Sequence, residues 1–363
     1  MGSGEYFEID FLAVESKKSG DAITMRYSYK GSEYIHVVDG GFTDTGQKVL
    51  DHIKKHYPSQ GYIDNVVVTH SDADHVLGLK TVLEDGDVKA LWMNRPWLYA
   101  GELVRRFKTY NSETALYHEL RRAYDYIVDL EEIADRKGIP IYAPFQGEHI
   151  GRFTVMTPTK SRYLDLIVES DRTPESITED ASIFETMLAT FSSTVKAAAN
   201  LVSAAWNEEY FPTAKTNREN EMSVVQYAEI DGVKILLTGY SGREGLQEFI
   251  DYAPYVGLKL PGIDRFQVPH HGSRRNISTE LLDQILGPRV DKAYANGTAF
   301  SAIISSALED VHHPKKAVER AMHHRGGTVA ATEGQDICTK YNVPTRAGWV
   351  NVVARPYPNE QED

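Results

Sequence analysis

Asn65-Val66-Val67-Val68-Thr69-His70-Ser71-Asp72-Ala73-Asp74-His75-Val76-Leu77-Gly78-Leu79 is the stretch whose reading decides the fold. Three β-branched residues, Val66 to Val68, run straight into two imidazoles and two carboxylates: His70, Asp72, Asp74 and His75. Val76, Leu79, Val82 and Leu83 then recur at helical spacing. The pattern predicts a buried strand, a polar loop at its C-terminal end and a helix packing back on the sheet. That order is the repeating unit of an α/β protein. The loop offers donors at i, i+2, i+4 and i+5, all of kinds that bind a divalent cation. Mixed nitrogen and oxygen donors suit zinc, manganese or iron better than calcium, which prefers oxygen alone. One His and one Asp after a strand would read as a solvated loop. Four such groups within six residues read as a metal site.

The rest of the composition sets bounds. A chain of 363 residues is ample for one large domain with insertions or for two domains. Hydrophobic residues at 41% and charged residues at 25% are ordinary globular values. A net charge of −13 argues against a surface that coats nucleic acid, although a local basic groove remains compatible with it. An acidic protein can still cleave a phosphodiester when bound metals supply the positive charge. The single cysteine, Cys338, excludes an internal disulfide framework and a thiolate metal cluster. No apolar run reaches the length of a membrane span and no signal-peptide core opens the chain, so a soluble, cytoplasmic protein without a membrane partner is expected.

Outward from the loop, residues 5–39 read as paired strands. Phe7, Ile9, Phe11 and Ala13 alternate with polar positions, Ala22 to Tyr29 form a second run, and Tyr34 to Asp39 a third. Val49, Ile53 and His56 give a short amphipathic helix. Residues 87–93 read as a strand broken by Asn94-Arg95-Pro96-Trp97. Leu116, Leu120, Ala123, Ile127, Leu130 and Ala134 then recur at a near-3.5 period that predicts one long helix, ended by Gly138-Ile139-Pro140. A strand pair is expected around Gly151 to Met156, followed by a loop-rich acidic stretch from Ser170 to Asp180. A second helix is expected from Ile183 to Trp206, with Met187, Phe191, Val195, Ala198, Val202 and Ala205 on one face. These apolar stripes are read as cover for the sheet, with a homodimer or partner surface as the alternative.

In the second half, Val224 to Ile230 and Val233 to Leu237 are strands joined by the two-residue turn Asp231-Gly232. The return strand ends in Thr238-Gly239-Tyr240. Phe266-Gln267-Val268-Pro269-His270-His271-Gly272-Ser273 is another strand delivering donors at its C-terminal end. Side chains alternate along a strand, so one of His270 and His271 is expected as a metal ligand, the other facing substrate or the loop. Ser273, Arg274 and Arg275 follow, and an arginine pair beside a metal is what a phosphate needs. Val290 to Ala295 reads as a strand. His312-His313-Pro314 opens a helix with Val318, Ala321 and Met322 inward, and Thr328 to Ile337 is a strand and turn. His312, His323 and His324 read as surface or helix-terminal residues. Residues 356–363 read as a loose acidic tail.

These separated motifs resemble the metallo-β-lactamase fold superfamily. The loop His70-Ser71-Asp72-Ala73-Asp74-His75 is similar to its His-x-His-x-Asp-His signature, with Asp72 in place of the second His. That variant resembles the ComEC-type competence proteins and their stand-alone relatives, whose Pro-His-His-Gly-Ser motif recurs here at Pro269 to Ser273. The resemblance implies a single four-layer αββα sandwich over 5–355, with helical insertions at about 97–138 and 176–210. It implies one or two divalent ions, zinc or manganese, held by His70, Asp72, Asp74, His75 and a histidine of the 270–271 pair, by analogy His271. Asp39, which closes a strand, would support the ligands from behind. His313 and Thr332 would border the substrate pocket with Ser273, Arg274 and Arg275. Where relatives commonly read Thr-Gly-Asp, with the Asp bridging two metals, this chain has Tyr240. A phenol is a poor divalent ligand unless ionised, and its ordinary pKa near 10 opposes that. The substitution leaves three outcomes: one metal, two metals bridged by water or substrate, or no catalysis.

The expected function is a metal-dependent hydrolase of the phosphodiesterase or nuclease class, acting on nucleic acid or a nucleotide through activated water. Asp72, Asp74 and His271 would carry the reaction. Asp72 in place of an imidazole tilts metal choice toward manganese or magnesium, or leaves a base to orient water if the first metal position is vacant. The alternative is a catalytically degenerate subunit that serves as a structural or regulatory partner in a multi-protein, for instance anti-phage, system. Thioester, lactone or amide hydrolysis fits the fold without specific support.

Overall fold

The computed structural model describes residues 4–14, 17–107, 110–173, 201–294 and 297–363. Two seven-stranded sheets are stacked face to face. The first runs Ile337–Tyr341, Phe7–Phe11, Ala22–Tyr29, Ser32–Gly40, Asn65–Val67, Leu91–Trp92 and Ile141–Tyr142. The second runs Gly327–Ala331, Phe300–Ile304, Arg265–Gln267, Val233–Leu237, Val225–Ile230, Phe153–Thr157 and His149–Ile150. A two-stranded ribbon, Leu201–Ser203 with Glu360–Glu362, lies apart from both.

The sequence period explains the layering. Val37, Val66 and Val68 face a core shared with the helices Thr43–His56 and Ala73–Asp85, whereas Val38 and Val67 face the second sheet. In the second sheet Leu236, Phe266, Ala302 and Ile304 meet the helices Arg243–Tyr252, Thr279–Ile285 and Lys316–His324. Ile235, Leu237 and Ile303 point into the inter-sheet core. Alternate residues thus feed opposite cores, and a parallel strand covered on both faces reads as an unbroken apolar run. Helix, sheet, sheet and helix make the expected αββα sandwich.

The helix after the metal loop is seated unusually deeply. Gly78 donates its N–H to the Gly41 carbonyl at 3.0 Å, and a Cβ built on Gly78 would stand 1.9 Å from the Gly40 oxygen. A Cβ on Gly46 would meet the Gly78 carbonyl at 2.2 Å. Backbone cannot retreat as a side chain can, so Gly78→Ala is expected to lower stability by about 3 kcal/mol in urea unfolding.

Several expectations are corrected. The single long helix is two, Glu113–Ala123 and Asp125–Lys137, broken at Tyr124 with φ −120° and ψ 45°. The apolar stripe continues across the break because Leu116, Leu120, Ile127, Leu130 and Ala134 all enter the same core. Their apolar face is spent inside the chain, which is the covering role. The strand read over 87–93 is regular only at Leu91–Trp92. The helix read from Ile183 to Trp206 falls mostly outside the described residues, as does most of the acidic stretch before it. Its end is a strand instead, Leu201–Ser203, so Val202 is not on a helix face. Val290 to Tyr294 is no strand: Lys292–Tyr294 is a 3₁₀ turn, and the strand is Phe300–Ile304, between two others.

The tail is not loose. Glu360–Glu362 is a strand, and the Glu362 carboxylate accepts the Lys316 and Ala317 N–H groups at 3.0 and 3.2 Å. It caps a helix whose first N–H groups have no internal partner. His323 and His324 do sit at a helix end, but they are buried rather than on the surface. Among the described residues no helix is long and apolar enough to cross a membrane.

Candidate metal centre

The candidate donors lie at or just beyond the C-terminal ends of four strands, Asp74 and His75 in the first turn of the helix Ala73–Asp85. Asp39 closes Ser32–Gly40, the loop 68–72 follows Asn65–Val67, Tyr240 follows Val233–Leu237, and His270 and His271 follow Arg265–Gln267. The first two strands are parallel neighbours in one sheet, and the last two in the other. The loops therefore meet across the sandwich, where the Val224 N–H joins the Thr69 carbonyl at 3.0 Å.

Each imidazole is aimed by its rear nitrogen. The Nδ1 of His75 is 2.6 Å from Asp39 Oδ2, and Asp39 also accepts the Thr69 N–H at 2.8 Å. The His271 Nδ1–H donates to the Ser305 carbonyl at 2.6 Å. Both Nε2 atoms are thereby turned toward Asp74, whose Oδ2 lies 3.4 Å from His271 and 4.0 Å from His75. Tyr240 sits among them, buried, with its hydroxyl on both Asp74 Oδ2 and His271 Nε2. On the other side, His70 Nε2 stands 3.1 Å from Asp72 Oδ2, while Asp72 Oδ1 accepts from Arg172.

Charge follows this geometry. Burial alone would lower the pKa of His75, but the Asp39 and Asp74 carboxylates, the Asp39 hydrogen bond and Asp21 push it up to about 10. Burial would raise Asp72, yet His70 and Arg172 hold it well below the usual carboxylate range. Asp74 is held low against burial by His75 and His271. Burial, then Asp74 and Asp21, drives the Tyr240 phenol far above its ordinary value. It is a neutral hydrogen-bond donor, not a phenolate ligand.

The residues fit a divalent ion. The Nε2 atom of His75 is buried without a hydrogen-bond partner, and that of His70 faces only the Asp72 carboxylate, 3.1 Å away. The single Tyr240 proton faces two acceptors, the Asp74 carboxylate and the His271 Nε2, because the other His271 nitrogen is spent on Ser305. A buried polar group left without a partner is costly, and a divalent ion that binds in place of the His75 proton would engage the Nε2 atoms of His75 and His271 and the Asp74 carboxylate together.

Residues 29–147 match the family model described as the metallo-beta-lactamase superfamily. The chain has a metallo-β-lactamase fold. It is similar to ComE operon protein 3 of Bacillus subtilis (strain 168), 28% identical over 135 residues. That match covers 37% of this chain and 15% of the relative's length. Among solved structures it is similar to the metallo-beta-lactamase fold protein YhfI from Bacillus subtilis, at 10% identity and a TM-score of 0.37. That alignment covers 93% of this chain and 100% of the other. It is also similar to Zn(2+)-bound PqqB from Methylobacterium extorquens, at 12% identity and a TM-score of 0.39, covering 92% and 99% of the two chains.

Within this metallo-β-lactamase fold the structure brings together His70, Asp72, Asp74, His75, Tyr240, His270 and His271, with Asp39 directly behind His75. His270 and His271 do not alternate as on a strand. Both have positive φ, 47° and 54°, in a 3₁₀ turn, so both rings flank Tyr240. His271 presents its nitrogen to Asp74, whereas His270 stacks on the Tyr240 ring at 4.0 Å, its Nδ1 against Asn220. His313 stacks on His270 at 5.6 Å and pairs with Asp310.

Four residues expected around the substrate have other engagements. Arg274 donates to the Asp363 carbonyl, Arg275 is exposed, and the Ser273 hydroxyl accepts the Arg275 N–H. The buried Thr332 hydroxyl bridges the Ser306 backbone. The arginine that reaches the cluster is Arg172, which sequence reasoning missed. So was Asp21, whose oxygen lies with those of Asp39 and His75 inside 4.8 Å.

Asp39→Asn would keep a partner for Thr69 but lose the charge that orients His75. It is expected to weaken manganese or zinc binding by about 10- to 100-fold, read by calorimetric titration.

Proposed function

We propose that the protein is a metal-dependent hydrolase of the phosphodiesterase or nuclease class, acting on a nucleic acid or a nucleotide. The observation that carries this reading is the convergence of Asp74, His75 and His271 from two sheets, each imidazole fixed through its rear nitrogen. A zinc or manganese ion bound there supplies a Lewis acid that brings water toward ionisation at neutral pH and polarises a phosphoryl oxygen. Asp74, His75 and His271 are the residues that would hold it. Tyr240 keeps a neutral hydroxyl on Asp74 and can pass that hydrogen bond to a substrate oxygen. His270 and His313, stacked and half-buried, form a flat wall against which a base or sugar can lie. The ComEC-type resemblance favours a nucleic acid over a smaller ester.

A second reading has one specific observation behind it. Tyr240 already places its hydroxyl on Asp74 and His271, as a site kept for structure or for a partner's control would. Metal analysis and turnover of bis-p-nitrophenyl phosphate, in wild type beside Tyr240→Asp, separate the two. Bound metal with turnover in wild type is the expected result. Turnover only in Tyr240→Asp would transfer support to the regulatory subunit, and absence of metal from both would sink the hydrolase.

A further inference from the structure

The two halves of the cluster differ in what already balances their charge. On one half Asp72 has both oxygens engaged, Oδ2 facing His70 Nε2 at 3.1 Å and Oδ1 accepting from Arg172 Nη2. The Arg172 Nη1 donates to the Ser71 hydroxyl at 3.0 Å, and the guanidinium lies 5.5 Å from the centre of the Tyr124 ring. Three contacts, on Asp72, Ser71 and Tyr124, therefore fix one permanent cation over the signature loop. The rear nitrogen of His70 faces a hydroxyl, Ser223 Oγ at 3.5 Å, rather than a carboxylate. On the other half, Asp74, Asp39 and Asp21 surround His75, and among the described residues none of the three pairs with a lysine or arginine.

We propose that the Arg172 guanidinium takes the place of one of two cations, so that the cluster accepts a single divalent ion, on the Asp74, His75 and His271 side. This rests on the metal-dependent reading above and specifies how that site is filled. A dication between His70 and Asp72 must either displace Arg172 from its three contacts or sit beside its charge, and like charges at that distance in a partly buried site repel. The Asp74 half has no such competitor and carries the surplus of negative charge. Arg172 is not an inert plug. Its side chain keeps 28% of its surface exposed, so N–H donors beyond those on Asp72 and Ser71 remain available beside the ion. A planar fork of donors suits two oxygens of one phosphate, which a compact ammonium does not match. The arrangement therefore selects a phosphate-bearing substrate held between an ion on one side and an arginine on the other. The same arginine accounts for the loss of a bridging carboxylate at Tyr240, since one ion needs no bridge.

Manganese and zinc titrations by calorimetry, with ion content after desalting by mass spectrometry, test this on the full chain. Wild type is expected to hold one ion per chain. Arg172→Ala and Arg172→Gln are each expected to admit a second, and His271→Ala to lose the first. Two variants at Arg172 guard against one failing to fold, and the wild-type count decides alone if both fail. Two ions in wild type, one unchanged ion in both folded Arg172 variants, or an ion retained in His271→Ala would each overturn the proposal. One ion without turnover leaves it standing and removes the hydrolase reading; two ions with turnover do the reverse; none in wild type removes both.

Discussion

Replacing His271 with alanine is expected to cut metal-dependent phosphodiester turnover by at least about a thousandfold while the chain stays folded. Among the described residues His271 is the imidazole that reaches Asp74 from the second sheet, its Nε2 facing Asp74 Oδ2 at 3.4 Å. Its removal leaves Asp74 and His75 on one side of the gap, with Tyr240 as a neutral neighbour. Charge stabilisation by a bound ion is worth several kcal/mol, and about 4 kcal/mol is three powers of ten in rate. Circular dichroism and metal content should be read on the same sample. Retained fold with metal and turnover both lost is the expected pattern, and full turnover without His271 would remove it from the site.

The largest effect on stability is expected at Glu209. Its carboxylate takes Arg325 Nη1 at 2.7 Å and the His324 Nδ1–H at 2.8 Å, and side-chain exposure of all three residues is 1% or less. Arg325 also reaches Asp283 at 2.6 Å, tying the helix Thr279–Ile285 to the end of Lys316–His324. The imidazole of His324 is kept neutral, burial first, with its other nitrogen accepting from Asn207 and Tyr357. Glu209→Gln would leave a buried guanidinium short of an anion, so a loss of about 3–5 kcal/mol in urea unfolding is expected. The pH dependence has a definite sign. Burial would raise the Glu209 pKa, but His324 and Arg325 bring it down from 4.5 to about 2. A depressed carboxylate stabilises the folded chain fully above the unfolded value and loses that contribution as pH falls. Wild type should therefore shed about 3 kcal/mol from this group between pH 5 and 2, and Glu209→Gln should show a shallower acid limb. Equal acid limbs in the two proteins would refute the assignment.

The sequence made the fold legible where period and chemistry agreed. Val66 to Val68 followed by His70, Asp72, Asp74 and His75 announced a strand and a cluster of donors in one line, and the structure has the αββα layers around it. Failures cluster where local pattern is silent about distant partners. Nothing in Arg172 itself, or in its neighbours, says that it will meet Asp72, because the pairing spans 100 positions. Arg274 and Arg275 looked right by adjacency to His271, but a turn with positive φ at His270 and His271 rotates adjacency away from proximity. The same turn defeated the rule of alternating side chains. The acidic tail was misread because Glu362 finds its partners, the bare N–H groups of Lys316 and Ala317, only in three dimensions. Tyr240 was correctly marked as a departure, yet only packing shows its hydroxyl between Asp74 and His271.

The position of the first strand has a consequence for synthesis in the cell. Phe7–Phe11 is flanked by Ala22–Tyr29 on one edge, made at once, and by Ile337–Tyr341 on the other. Ala13 and Asp336, which meet beside that second seam, are 323 positions apart. At ordinary translation speeds the nascent chain waits roughly 15 to 65 s before that edge can be covered. Phe7, Ile9 and Phe11 lie on it, and an open apolar strand edge templates pairing with other chains. Yield of the soluble chain should therefore depend on growth temperature and on chaperones that shield nascent strands.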